Sequence, residues 1–526
     1  MMHRRTLAKL ALSTPLLASL GGAAFAEDAA AITGGFDVGP GGQPGNFNPM
    51  TATAGYTWLN TYLEPLVLYD AALASMAGAL ASSYAVSADQ REYSFKLVTT
   101  HWHDGADFTS ADVAFTIATA KNAASGSNFT ARLAGITAVE TPDAHTVVLK
   151  LAAPNAALLD TLGKLLIVPQ HALAAIPVTD LARHPWWSTT PIGTGPFKFA
   201  RYVSGQYVAL TANPDYRLGK PKVERLVNRY FENTAGAVAA LRAGEIQFTY
   251  VESDDLPNFR NNPAFRIIEG NSYVVNYLGF NQEVPFWKDA RVRQAVMHAI
   301  DRATIIKQLY GGAAVPANCG YVASSVVPGG IDPYAFDPAK AKSLLAAAGW
   351  DKVAGSKPIT LLTYYNNPLA TNVMAAIQAM LADVGINVVP RIVDVPTYNS
   401  IVYAATPDWN SFPMVYAGFQ NGPDPSSLNT ALNASQVPPA GANIMRVRTP
   451  ALSTALDTAL AETDGAKRPG RYQDVCRVMN AELPWGTLWV TSRYGVASTK
   501  LKDFVWIPSP SGSPYDQHAE KWSIGA

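Results

Sequence analysis

The chain has 526 residues, 40 basic against 40 acidic side chains, 15% charged residues and only two cysteines. That length exceeds the roughly 250 to 300 residues at which one hydrophobic core stops growing, so at least two domains are expected. A balanced, sparsely charged surface gives no basis for nucleic acid or an anionic membrane as partner, and two cysteines make no disulfide scaffold.

Arg4, Arg5 and Lys9 precede an apolar stretch from Leu10 to Leu20, and Ala24-Phe25-Ala26 fits a small-x-small cleavage site. Residues 1–26 read as a secretory signal peptide, too short in its apolar part for the roughly 18 residues of a spanning helix. The order His3-Arg4-Arg5-Thr6 is similar to a twin-arginine export signal, and general secretion against twin-arginine export is left open. Neither cysteine lies at the cleavage site, where a bacterial lipoprotein needs one for acylation, so a freely soluble periplasmic protein is expected. Residues 34–45, rich in glycine and with Pro40 and Pro44, read as a flexible loop. Trp58 and Tyr62, four apart, either pack in a core or wall a pocket; the spacing favours core, and Trp58 is kept as a candidate. Residues 80–117 read as strand, turn, an alternating strand through Tyr93, Phe95 and Leu97, and a helix with Thr109 and Asp112 in a capping box. His101, His103 and Asp104 are rejected as a metal site for want of a spaced third ligand. Thr146 to Leu151 is a further strand.

In Gly193 to Phe248, Gly193, Gly195 and Pro196 form a turn. Runs from Phe197, from Tyr207 to Leu210 and from Arg225 to Phe231 then read as strands. A helix capped by Asn233 or Thr234 carries Ala237, Val238 and Leu241 at helical spacing and ends at Gly244, before a strand at Ile246 to Phe248. After Asn276, the residues Val292, Val296, Ile300, Ile305 and Ile306 make one apolar helical face ending at Gly311-Gly312. Arg291, Arg293 and Asp301 are read as solvated or salt-bridged. Helices at 337–348 and 370–384 alternate with strands at 359–364 and 388–393, as in an α/β lobe. Cys319 and Cys476 are expected to be free, partly buried thiols, although their pairing cannot be read from spacing.

The pieces Gly193-Thr194-Gly195-Pro196-Phe197, Asn213-Pro214-Asp215-Tyr216, Gly219-Lys220-Pro221 and Ala240-Leu241-Arg242-Ala243-Gly244-Glu245-Ile246 stand in an order and spacing that resemble the signature region of the peptide/nickel type, family 5, of ABC-importer solute-binding proteins. Family-like segments run from residue 48 to beyond 480. The resemblance implies an α/β fold that is two-lobed and periplasmic-binding-protein-like (type II, cluster C), with an extra α/β subdomain inserted in the first lobe. The expected division is a first-lobe core of 27–65, 190–278 and 496–526, an inserted subdomain of 66–189, and a second lobe of 279–495. Passage between lobes is expected at Asn276 to Asn281. The implied function is the periplasmic substrate-binding component of an ABC importer that hands a small solute to a membrane permease and its ATPase. It is expected to be a monomer, not an enzyme, with no cofactor and no metal. A secreted hydrolase is the alternative of another class, disfavoured because G-x-S-x-G, H-E-x-x-H and GK[ST] motifs are missing.

The family's small-residue loop nominates Thr53, Ala54 and Gly55 for backbone contact with the ligand. Dipeptide binders of the family carry an arginine where this chain has Tyr364, Tyr365, Asn366 and Asn367, and an aspartate where it has Phe419 or Gln420. Because buried charged ligand ends need partners, a zwitterionic dipeptide held in that way is not expected. The ligand classes kept are peptides read by their backbone, opines and oligosaccharides. Trp409, Tyr416, Phe419, Trp485, Trp489 and Tyr494 form an aromatic excess suited either to stacking on a ligand or to core. Asp424 either contacts the ligand or orients its own loop. The candidate ligand-binding set is Thr53, Ala54, Gly55, Trp58, Tyr364, Tyr365, Asn366, Trp409, Tyr416, Phe419, Gln420 and Asp424.

Overall fold

The computed structural model describes residues 31–38, 47–52, 56–70, 75–321, 326–354, 357–408, 410–506 and 518–525. The signal segment 1–26, residues 39–45 of the expected loop, Thr53 to Gly55 and Trp409 lie outside them, whereas residues 34–38 of that expected loop belong to the strand Ala31–Val38. Among the described residues an 11-stranded mixed sheet runs through both lobes. Its order is Val388–Ile392, Ile359–Thr363, Met414–Gln420, Phe265–Phe280, Trp485–Ser498, Phe248–Val251, Ala31–Val38, Arg225–Phe231, Tyr207–Ala212 and Phe197–Val203, with Ala314–Pro316 also paired to Trp485–Ser498.

Two strands at its centre organise the rest. Phe265–Phe280 is 16 residues long and pairs antiparallel with the 14-residue Trp485–Ser498, so both cross from one lobe to the other. Their ladder is interrupted between Asn271 and Val275, where Tyr273 takes a φ of 53°. Pairing of the first strand with Met414–Gln420 in the second lobe already starts at Val274. Asn276 to Asn281 is thus paired throughout to the second-lobe strand or its flank, and the irregular stretch lies just before it, where a ladder bends more readily than where it is regular.

The first lobe buries one continuous core that takes in Ile32, Phe36, Trp58, Phe197, Leu226, Phe248, Phe504 and Trp522 together with the inserted subdomain's Phe95, Val113, Val147 and Leu162. That subdomain is a four-stranded sheet ordered Ala81–Val86, Glu92–Leu97, Thr146–Leu151 and Ile136–Asp143. Helix Ser110–Lys121 lies on it, and the Thr109 N–H donates to Asp112 Oδ2 at 2.9 Å as the expected capping box requires.

The turn at Gly193 is held from three sides. Gly195 N–H donates to the Tyr62 carbonyl at 3.0 Å, while His103 Nδ1 accepts from Gly193 N–H and its Nε2 faces the Gly195 carbonyl, both at 3.0 Å. Burial pushes His103 down to about 4, so the neutral ring acts as donor on one side and acceptor on the other. A Cβ at Gly193 would collide with the Tyr62 carbonyl oxygen. Close backbone approach is what demands glycine here. Gly193→Ala is expected to cost at least about 2 kcal/mol of stability in urea unfolding, and an unchanged midpoint would show that the contact relaxes freely.

In the second lobe the largely buried Ile359–Thr363 strand is paired in parallel to Val388–Ile392 and Met414–Gln420. Helix Pro368–Ala382 starts where Asn367 Oδ1 accepts from Ala370 N–H at 2.7 Å, with Pro368 at its first position. The single helix expected after Asn276 is instead two, Ala290–Ala299 and Arg302–Leu309, because Asp301 turns out of the helix and caps the second by accepting from Thr304 N–H at 2.9 Å. Arg293 is buried, not solvated, and donates to the carbonyls of Glu482, Leu483 and Trp287.

Cys319 and Cys476 form a disulfide with Cα atoms 5.4 Å apart, which corrects the expectation of free thiols. The helix Arg468–Glu482 is laid against the segment that follows Ala314–Pro316, and Asn480 Nδ2 donates to the Asn318 carbonyl at 3.2 Å beside the bridge. Their 157-residue separation hid this proximity.

Candidate functional site

A cleft of about 550 Å³ opens beside the two crossing strands. From the first lobe it is lined by Phe36, Thr234 and the segment Tyr250 to Ser253, and from the crossing strands by Ser272, Val274, Asn276 and Thr491 to Tyr494. The second lobe contributes Tyr310, Ala313, Tyr365, Asn367, Leu369, Ala370, Tyr416 and Gln420. The volume lies in the range of roughly 300 to 1,000 Å³ typical of small-molecule sites.

The wall is built of phenols whose hydroxyls are tied down. Trp489 Nε1 donates to Tyr310 Oη at 3.1 Å, Tyr310 and Tyr416 face each other at 3.5 Å, and Tyr365 Oη donates to Asn276 Oδ1 at 3.3 Å. Tyr494 Oη donates to Glu269 Oε1 at 3.1 Å. Burial raises the pKa of Tyr310, Tyr365 and Tyr416, so these groups stay neutral and present ring faces and hydroxyl dipoles. Gly418 has a structural reason of its own: a Cβ there would strike the Tyr365 hydroxyl. The strand Met414–Gln420 can thus support Tyr365 from behind.

Two charged side chains reach the cleft. Glu252 is exposed into it and its pKa is raised, first by desolvation and then by Asp255, with the Arg493 charge pulling the other way. Arg493 lies over the Tyr250 ring with its guanidinium carbon 3.9 Å from the centroid. Neither was singled out from sequence. The available signal was a cation inside the apolar run of Trp485–Ser498, a place where an arginine is unusual without a use.

Of the candidate residues, the structure brings Tyr365, Tyr416 and Gln420 into the cleft wall. Trp58 is corrected: it is 1% exposed, stacks on Tyr62 at 5.6 Å and meets Phe47 edge-on at 4.7 Å in the first-lobe core. Tyr364 packs on Tyr398 at 4.9 Å behind the wall, Asn366 is exposed beyond it, and Phe419 packs on Trp485 at 4.9 Å in the second-lobe core. Strand alternation explains the place of Phe419, since Phe419 and Gln420 point to opposite faces of Met414–Gln420. Asp424 lies away from the cleft, where both of its carboxylate oxygens accept from Arg468 Nη2 at 2.9 Å. Thr53, Ala54, Gly55 and Trp409 fall outside the described residues. Among the described residues no group of three His, Cys, Asp or Glu side chains is placed to hold a metal ion.

Comparison with known proteins follows the same lines. The sequence profile of bacterial extracellular solute-binding proteins, family 5 (middle), matches residues 75–438. A Brucella melitensis protein, provisionally named as an ABC transporter peptide-binding protein, is 62% identical over 525 residues and both chains are covered to 100%. The oligopeptide-binding protein AppA from Bacillus subtilis, solved in complex with a nonapeptide, superposes with a TM-score of 0.81 at 24% identity, covering 94% of this chain and 99% of that one. AgaA from A. tumefaciens R10, solved in complex with agropinic acid, superposes with a TM-score of 0.78 at 25% identity, with coverage of 94% and 99%.

Proposed function

The chain belongs to family 5 of the bacterial extracellular solute-binding proteins, the premise from which we propose that it captures a peptide-like or other small polar solute between its lobes and delivers it to an ABC permease and its ATPase. The observation that carries this reading is the cleft itself, set at the interrupted ladder between two strands that join the lobes. We further propose export to the periplasm through the signal peptide of residues 1–26. For the lobe division at 278/279 and 495/496, we propose shifting the boundaries to the interrupted ladder near 271–275 and its partner segment 490–492.

Peptide as the ligand class draws support from the name of the Brucella relative, and an opine draws support from AgaA. Tyrosine faces, Asn276, Asn367 and Gln420 suit the amides and hydroxyls of either. The hydrolase alternative lacks a motif to support it, and we read the protein as a binder that returns its solute unchanged.

Binding proteins of this architecture close around a hinge. The radius of gyration by small-angle scattering is expected to fall when the solute-free protein is saturated with the small molecule that copurifies with it, identified by mass spectrometry. The same mass spectrum after long incubation should show that molecule intact. An unaltered radius would remove hinge closure, and turnover above a blank would move the protein to the hydrolases.

A further inference from the structure

The Trp485–Ser498 strand is largely buried, yet it places Arg493 against the cleft. The guanidinium face is taken by Tyr250, and stacking of this kind leaves the in-plane N–H edge for a second partner. Its Nη1 is buried and has no hydrogen-bond partner among the described residues. No ion pair involving Arg493 occurs among them either. Glu252, on the same cleft wall, is close enough for the Arg493 charge to act on it but does not pair with it. A guanidinium nitrogen buried without a partner is costly, and that cost is relieved when an anion of matching geometry binds the group.

We propose that Arg493 is the carboxylate anchor of the ligand, so that the solute captured by this protein is a carboxylic acid held edge-on to the guanidinium. The inference rests on the solute-capture reading and narrows it. The charge missing at Tyr364 to Asn367 is supplied from a different strand, on the opposite side of the crossing. The bound acid is oriented with its carboxylate at Arg493 and any amino group towards Glu252, while Tyr310 and Tyr365 flank the body of the solute. Neutral oligosaccharides have nothing to offer the guanidinium that water does not.

The test uses the purified chain freed of copurified solute, with Arg493→Gln and Arg493→Lys, and reads binding by native mass spectrometry. The probes are an equimolar tripeptide library as free acids, the same library as C-terminal amides, and agropinic acid. The wild-type protein is expected to take an acid from one of these sets, and which set it takes decides between peptide and opine. For peptides the amides should bind at least about 30-fold more weakly, and Arg493→Gln should lose at least about 30-fold towards the acid and level the difference, with Arg493→Lys between. Equal binding of acids and amides by the wild-type protein, or acid affinity kept in a folded Arg493→Gln, overturns the anchor and leaves solute capture standing. If no probe binds and no small molecule copurifies, both readings fall together.

Discussion

Cys476→Ser is expected to remove about 4 kcal/mol of stability, since a cross-link closing a loop of 157 residues restricts the unfolded chain far more than a short one. Both cysteines are at most 1% exposed in the second-lobe core, beside Leu428 and Met479, so the serine variant also leaves a hydroxyl in an apolar setting. The wild-type protein unfolded with and without a reductant is the control, because it breaks the bridge without changing the side chains. Reductant should lower the urea midpoint, and serine should lower it by at least as much because of the added buried hydroxyl. If the midpoint is the same with and without reductant, the bridge contributes nothing and the loop-closure argument fails. Ligand affinity of the folded variant should be retained, because the bridge does not line the cleft.

Arg468→Met is the second large effect, expected to cost about 3 kcal/mol near neutral pH. The side chains of Arg468 and Asp424 are 12% and 15% exposed, and Arg468 Nη2 donates to both carboxylate oxygens at 2.9 Å. Desolvation raises the pKa of Asp424, with Arg468 opposing and the nearby Asp160 adding to the rise. Asp160 is itself paired with Lys164 at 2.7 Å. Removing the guanidinium leaves Asp424 a buried carboxylate without its counter-ion.

The pH dependence has a definite sign. An acid whose folded pKa is raised binds its proton more tightly in the folded state, so it reduces stability as pH rises above the unfolded carboxylate value of about 4. Losing Arg468 raises the folded value further. The deficit of Arg468→Met relative to wild type should therefore be largest at neutral pH and shrink on acidification towards the carboxylate range. Urea unfolding across that interval checks it, and a deficit that stays constant with pH would mean that the arginine contributes packing against Tyr472 and not charge compensation.

Sequence by itself determined the local elements with strong punctuation and a fixed period. Asn233, one of the two expected caps, caps its helix, Gly244 ends it in the left-handed region, and the strand expected at 359–364 is found at Ile359–Thr363. These depend on neighbours within a few residues, where side-chain type and backbone preference act directly. The order and spacing of the motifs from Gly193 to Ile246 likewise sufficed for the family. Tertiary structure alone decided which of the aromatic and charged residues meet. Phe419 went to a core while Gln420 went to the cleft, because the face a strand residue takes depends on register against partners far off in the chain, here Val275 and Val274, and Trp58 on its helix and Tyr365 beyond its strand were placed by the packing of distant segments. The same holds for Asp424 with Arg468, for Cys319 with Cys476, and for Arg493 over Tyr250: each pair is joined by packing of distant segments, and pairwise distance across such separations is not encoded in any local pattern.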